Sequence, residues 1–250
     1  MAEPHGTHRR AGSRGRLKRT LLSWSSGKDS AWALHLMRGR IAGLLTTFNQ
    51  SADRVAMHAV RRTLVEAQAA AAGLPLRAVD LPWPCSNEEY ESRMAAACRA
   101  AVADGFEAIA FGDLFLRDVR AYRESKLAGS GLEPLFPLWE IPTHDLAREM
   151  IRSGLRARIT CVDKKQLDAR FAGREFDEAL LADLPPSADP CGENGEFHTF
   201  AYDGPMFQRP IAVAAGEEGD CTRARNGNLG AAGRGRRPGR FTRVHKGPLV

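Results

Sequence analysis

The hexapeptide Ser25-Ser26-Gly27-Lys28-Asp29-Ser30 sits at the end of a β-rich run (20–25) and at the start of a helical pattern. A small-residue turn there exposes backbone N–H groups at the positive end of a helix dipole, and Lys28 adds a full charge. That combination suits phosphate oxygens. Position 22 is Leu22, not glycine, so the Walker A spacing is absent and ordinary P-loop chemistry is disfavoured. A polar turn with a solvated lysine is the competing reading. A second cluster, Gly192-Glu193-Asn194-Gly195-Glu196-Phe197-His198-Thr199, gathers acids, an amide and an imidazole beside apolar rings, which reads as one wall of a site or as a solvated loop. Cys191 and His198 alone fall short of the ligand count of a zinc site. Asp113 suits a cation or a helix cap, and Arg120 and Glu124, four apart, form either a surface pair or part of a site.

The elements that must position these residues follow from periodicity. Strands fit 20–25, 41–48, 76–81, 106–111 and, as a fifth, 155–162. One helix begins near Asp29. A second places Met57, Val60, Leu64, Ala67 and Ala71 on one face and stops at Gly73. Ser86 and Glu89 have capping-box spacing ahead of the stripe Tyr90, Met94, Ala97 and Ala101. Thr143 is expected to cap a helix through Ile151, and a last helix covers 177–184. This alternation indicates parallel α/β units. Ligands of such sheets lie at the carboxyl ends of the strands, which collects Ser25–Ser30, Thr47, Phe48 and Asp113.

The 250 residues are 43% hydrophobic and 26% charged, an ordinary globular composition. No apolar run approaches the roughly 18 residues of a membrane span, and the Arg-rich start is unlike a secretory signal, so a soluble cytoplasmic protein is expected. Five cysteines without a C-x-x-C pair are expected to be reduced. The net charge of +6 comes from the ends: six Lys/Arg lie in 1–19 and eight in 216–250, and the stretch between is net acidic. Nucleic-acid binding by the core is therefore not expected, and both ends read as disordered basic tails.

With Ser26 in place of the usual glycine, Ser25–Ser30 resembles the loop of the N-type ATP pyrophosphatases (PP-loop enzymes). The blocks Asp189-Pro190-Cys191-Gly192-Glu193-Asn194-Gly195-Glu196-Phe197-His198-Thr199-Phe200 and Asp203-Gly204-Pro205-Met206-Phe207, with Gly112-Asp113-Leu114 and Pro137-Leu138-Trp139, resemble the diphthine–ammonia ligase family over about residues 20–210. The resemblance implies a doubly wound, Rossmann-like (HUP-type) five-stranded parallel sheet with a smaller C-terminal α+β portion. It divides the chain into an ATP-binding domain (20–130) and a substrate-binding portion (131–215).

The resemblance also implies a reaction: ATP and Mg²⁺ activate a carboxylate as an acyl-adenylate, and ammonia converts it to an amide. Lys28 then favours the departing pyrophosphate, Asp29 and Asp113 hold Mg²⁺, and Thr47 and Phe48 lie near adenine, with core packing the rival role for Phe48. Arg120 and Glu124 face phosphates or substrate. Gly192, Glu193, Asn194 and Glu196 line the acceptor, their charge matching the cationic substrate of the family, and His198 orients ammonia or takes its proton. Trp139 is expected to plug the core. Residue 2 is Ala2, not a nucleophilic cysteine, and there is no room for a glutaminase, so free ammonium is the expected nitrogen source. The acceptor, a protein side chain or a small molecule, stays open. Two other readings compete: transfer RNA thiolation with paired reactive cysteines, and a nucleotide-binding module without catalysis.

Overall fold

A computed structural model describes residues 17–55, 60–213, 218–220 and 241–244. Along the chain come β1 (Thr20–Ser23), α1 (Lys28–Leu36), β2 (Ile41–Asn49), β3 (Arg54–Val55), α2 (Arg62–Ala72), β4 (Leu76–Leu81), α3 (Asn87–Ala103) and β5 (Ala108–Ala110). They are followed by α4 (Arg117–Leu127), β6 (Glu133–Leu135), α5 (Thr143–Arg152), β7 (Arg156–Asp163), α6 (Glu178–Asp183), β8 (Phe197–Asp203), β9 (Glu218–Asp220) and β10 (Phe241–Val244).

The larger sheet has five parallel strands, with β2 and β5 flanking β1, β4 beyond β2 and β6 beyond β5; the two-residue β3 pairs antiparallel with the end of β2. Both faces are covered, and neighbouring residues of one strand enter opposite cores. Leu21, Leu45 and Ile109 join a cluster with Cys98, Ala101 and Leu127 of α3 and α4. Leu22, Leu44 and Ala110 join the main core, which holds Trp32 of α1 and Leu64 of α2 and continues through α5, α6, β7 and β8. This is the doubly wound sheet of the sequence reading.

Four details differ from the expectation. The fifth parallel strand is Glu133-Pro134-Leu135, whereas Arg156–Asp163 belongs to a second, antiparallel sheet ordered β8-β7-β10-β9. Pro134 hid β6, and an edge strand is the place where a residue without an N–H is tolerated. The C-terminal stretch expected to be disordered contributes β9 and β10, β10 satisfying the edge of β7 through pairs such as Thr242 with Val162; the rest of 216–250 lies outside the described residues. So do 1–16, but Arg19, assigned to the basic tail, lies 4.2 Å over the Phe106 ring. Finally, α2 begins only at Arg62, with Val60 C=O accepting from Val55 N–H ahead of it, and Met57 is outside the described residues.

Two caps show how local chemistry sets boundaries. Ser86 accepts from Glu89 N–H as expected, but the Glu89 carboxylate turns to Arg93. Thr143 is inside α5, not capping it, and its hydroxyl donates to Asp189 Oδ2 at 2.6 Å. Among the described residues no helix is long and apolar enough to cross a membrane.

Candidate functional site

The bend after β1 is built from its own hydroxyls. Ser25 Oγ accepts from Gly27 N–H at 3.3 Å and lies 3.1 Å from Ser30 Oγ, and the Ser30 hydroxyl also reaches Gly27 C=O at 3.0 Å. Ser26 takes a left-handed φ of 71°, the conformation that explains why glycine is usual there. Gly27 supplies no side-chain cap to α1. Instead Lys28 N–H donates to Thr199 Oγ1 of β8 at 3.1 Å, and Ala201 N–H donates to Ser26 C=O at 3.0 Å. A side chain at Gly27 would sit 3.3 Å from both Thr199 oxygens, so glycine is what lets β8 approach. Ala31 N–H returns to Gly27 C=O at 3.1 Å, closing the first turn. Gln68 locks the arrangement from beneath: fully buried, it donates to Ser26 and Ala201 carbonyls and accepts from Trp24 Nε1.

Lys28 departs from the picture of a lysine facing phosphate from solvent. It is 2% exposed, donates to the Cys191 carbonyl and to Asp29 Oδ2, and lies 5.4 Å from the Phe176 and Phe197 ring centres. Burial works against its charge, yet the adjacent Asp29 carboxylate, through charge and hydrogen bond, leads the groups that outweigh it and hold the ammonium protonated above the ordinary lysine range. Lys28 therefore ties the bend to the 189–199 segment.

Beside the bend, on the α3–α4 face of the sheet, lies a cavity of about 570 Å³. Ser25 and Thr47 reach it from the strand ends, Phe111 closes its floor, and Tyr90, Arg123 and Lys126 line the helical side. Phe48 is absent from this lining: it is completely buried in the other core with the Arg62 guanidinium 4.0 Å from its ring centre, which is the core-packing role of its two readings and not the place beside adenine. The side-chain alternation of β2 puts Thr47 and Phe48 on opposite faces.

Gly112 brings the β5 end against the start of α1; a Cβ there would be 3.0 Å from Asp29 C and Ser30 N. Asp113, the next residue, is gripped by Arg123 through Nε and, at 3.0 Å, through Nη2. Arg120 and Glu124, expected in the site, pair with each other at 2.8 Å and do not line the cavity. The Arg120 guanidinium lies 4.7 Å from the ring centres of both Phe136 and Trp139, and Trp139 is half-buried rather than a core plug.

The acidic segment is held by its own acids. Asp189 Oδ1 accepts from Cys191 and Glu193 N–H, while Glu196 Oε1 accepts from Asp189 N–H at 2.9 Å and from Asn194 Nδ2. Glu196 is 2% exposed, and its Oε2 is buried without a hydrogen-bond partner. Gly192 has φ 71°, and a Cβ there would meet the Phe197 carbonyl at 2.9 Å. Glu193 reaches across to accept from Leu114 N–H at 2.8 Å. Burial, with the Asp29 and Asp113 carboxylates, pushes Glu193 up to about 7, against the Leu114 N–H and Lys28. His198 is half-buried on β8, paired in register with Cys161. Cys191 donates its thiol toward Thr143 C=O at 3.4 Å, and burial pushes that thiol far up, the opposite of a reactive thiolate. Among the described residues no three His, Cys, Asp or Glu side chains form a metal-ligand group.

Of the predicted site residues only Ser25 and Thr47 line the cavity; the rest of the bend, Asp113 and the Gly192–Thr199 segment join one another beside it through Lys28, Gly112 and Glu193, and Phe48, Arg120 and Glu124 stand apart. Sequence reasoning missed Gln68 and Arg123. A signal existed for Gln68, a polar residue one turn after Leu64 on a buried stripe; for Arg123 the sequence offered three arginines on one helix and no means of choosing.

Two family models cover most of the chain: the diphthamide synthase N-terminal domain matches residues 18–134 and the diphthamide synthase C-terminal domain matches 142–226. Curated relatives named diphthine–ammonia ligase include the human protein, 31% identical over 138 residues (53% of this chain, 52% of the relative), and the bovine protein, 30% identical over the same length and shares. The Schizosaccharomyces pombe relative is 29% identical over 111 residues, 43% of this chain and 18% of its own. The chain spans about half the length of the mammalian relatives it matches. On these matches, together with the bend and the 189–199 segment, the chain belongs to the diphthamide synthase family.

Proposed function

We propose that this protein is an ATP-dependent, AMP-forming ligase that activates a carboxylate as its adenylate and amidates it with ammonia. The observation that carries the reading is the bend between β1 and α1, whose Ser25 lines a 570 Å³ cavity at the carboxyl ends of parallel strands. A carboxylate is a poor electrophile, so amide formation needs its oxygen bonded first to the α-phosphorus of ATP, with pyrophosphate leaving. Backbone N–H groups at a helix start favour the more highly charged departing state. Thr47 lines the cavity from β2 and is the proposed contact for the base or ribose. Lys28 holds the cradle and the acidic segment in register. Ammonia then attacks the acyl carbon and AMP leaves. Glu193, close to the Asp29 and Asp113 carboxylates, is suited to take a proton from ammonium near neutral pH. His198 and Glu196 remain the proposed residues on the acceptor side.

The residues partly fit a magnesium ion. Asp29 Oδ1 is buried without a partner and is a natural ligand, whereas both oxygens of Asp113 are occupied by Arg123. When bound, Mg²⁺ would neutralise polyphosphate charge. The thiolation reading loses support because Cys161 and Cys191 are both buried.

The test is a screen for AMP and pyrophosphate release with ammonium and a panel of carboxylate acceptors, read by mass spectrometry. Acceptor-dependent AMP with a matching amide product supports the ligase; bound ATP that stays intact with every acceptor supports a non-catalytic nucleotide-binding module.

A further inference from the structure

With Lys28 only 2% exposed and committed to Cys191 and Asp29, the cradle needs another cation if a polyphosphate is to be held from the cavity side. The cavity is lined by three basic residues, Arg99, Arg123 and Lys126. Lys126 is paired with Glu91 at 2.7 Å, and Arg99 lines the cavity from α3. Arg123 differs in being anchored next to the bend. Gly112 rests against the Asp29–Ser30 backbone, Asp113 follows it, and Asp113 grips Arg123. The guanidinium also lies 4.3 Å from the Phe111 ring centre, which fixes its plane.

We infer that Arg123 is the guanidinium that receives the nucleotide's phosphates from the cavity side, opposite the helix start, with Asp113 and Phe111 as its positioning residues. The inference rests on the ATP reading above. An arginine has five N–H donors in a rigid fork, and Asp113 uses one on Nε and one on Nη2, so both donors of Nη1 and one of Nη2 are left for a ligand. Asp113 therefore does not compete with phosphate; it aims the fork, as a carboxylate aims a metal-binding histidine. The side chain of Arg123 is 30% exposed while that of Asp113 is 14% exposed, so the free edge of the pair is the guanidinium. A lysine at this position would keep the charge and lose the fork.

The test compares Kd values of a nonhydrolysable ATP analogue and of adenosine for the full chain and for Arg123→Lys, Arg123→Gln and Asp113→Asn, by titration calorimetry, with thermal unfolding to verify folding. Arg123→Gln is expected to weaken the ATP analogue about 10- to 100-fold, the range of a lost charge-assisted contact, and to leave adenosine unchanged. Arg123→Lys and Asp113→Asn should fall between, the second because the fork is no longer aimed. Unchanged affinity for the ATP analogue in Arg123→Gln, or an equal loss for ATP analogue and adenosine in Arg123→Lys, would overturn the inference. A parent protein that binds neither compound refutes the ATP reading itself and takes the inference with it, an outcome distinct from a parent that binds ATP and a variant that binds it equally well.

Discussion

The bend at 25–30 and the segment at 189–199 are both short, polar and glycine-containing, yet they draw on internal and distant partners in different proportion. The bend adds to the bonds of its Ser25 and Ser30 hydroxyls a set of contacts borrowed from elsewhere, from Thr199, Ala201 and Gln68. The acidic segment turns inward: Asp189 and Glu196 together receive four donors from within the segment. Density of ionisable residues is therefore a poor guide to where chemistry happens. Most of the acids in the second segment maintain its shape, and Glu193 alone reaches across to Leu114 beside Asp113. The first segment carries fewer charges but opens on the N-terminal turn of a helix, whose dipole is what an anion needs.

This contrast can be broken by substitution, beginning where the two segments meet. Lys28→Met should abolish pyrophosphate release and destabilise the fold by on the order of 3 kcal/mol, because it strips the partner from a largely desolvated Asp29; urea unfolding and a pyrophosphate assay measure both. Gly112→Ala forces a Cβ to 3.0 Å from the α1 backbone and should cost about 1–3 kcal/mol while weakening ATP. If ATP affinity is untouched, the cradle is not at that junction. Glu196→Ala leaves Asp189 N–H unsatisfied and should cost about 1–2 kcal/mol, lowering acceptor-dependent AMP release far more than ATP affinity. Parallel losses of both would erase the proposed division of labour.

Glu193 sharpens the comparison through pH. Its carboxyl is held at about 7 in the folded protein against a usual 4.5, so the folded state binds the extra proton between those values. The stabilisation is complete below about 4.5 and is lost as pH rises through about 7. Glu193→Gln should flatten this fall, as seen by unfolding at several pH values from 4 to 8. The smallest effect is expected for Ser26→Gly. Relief of the left-handed serine at φ 71°, whose Oγ is buried without a partner, should stabilise by about 1 kcal/mol and raise Tm by about 2–4 °C.

Much of the frame was legible because buried parallel strands are written as apolar runs and their helices as stripes. The runs at 41–48 and 76–81 became β2 and β4, and the Ser86 cap marks the start of α3 as read. What was not legible depended on partners distant in sequence. Nothing near Arg156–Asp163 tells which sheet it joins, since that is decided by Phe197–Asp203 some forty residues later. The same limit applies to the site. Ser25–Ser30 was found from its neighbours, while the sequestration of Lys28 depends on Cys191 and the choice of Arg123 over Arg120 depends on which helical face meets Phe111 or Phe136.

The bonds from Lys28 N–H to Thr199 and from Ala201 N–H to Ser26 sew the small sheet to the loop of the large one. Neither half is then a free-standing cassette. A fragment ending near residue 134 would expose the amide of Gln68 and the carbonyl of Ser26 to water, and a chimera that joins this N-terminal half to a relative's C-terminal half would work only if the incoming strand carried a hydroxyl and a main-chain donor two residues apart in the same phase.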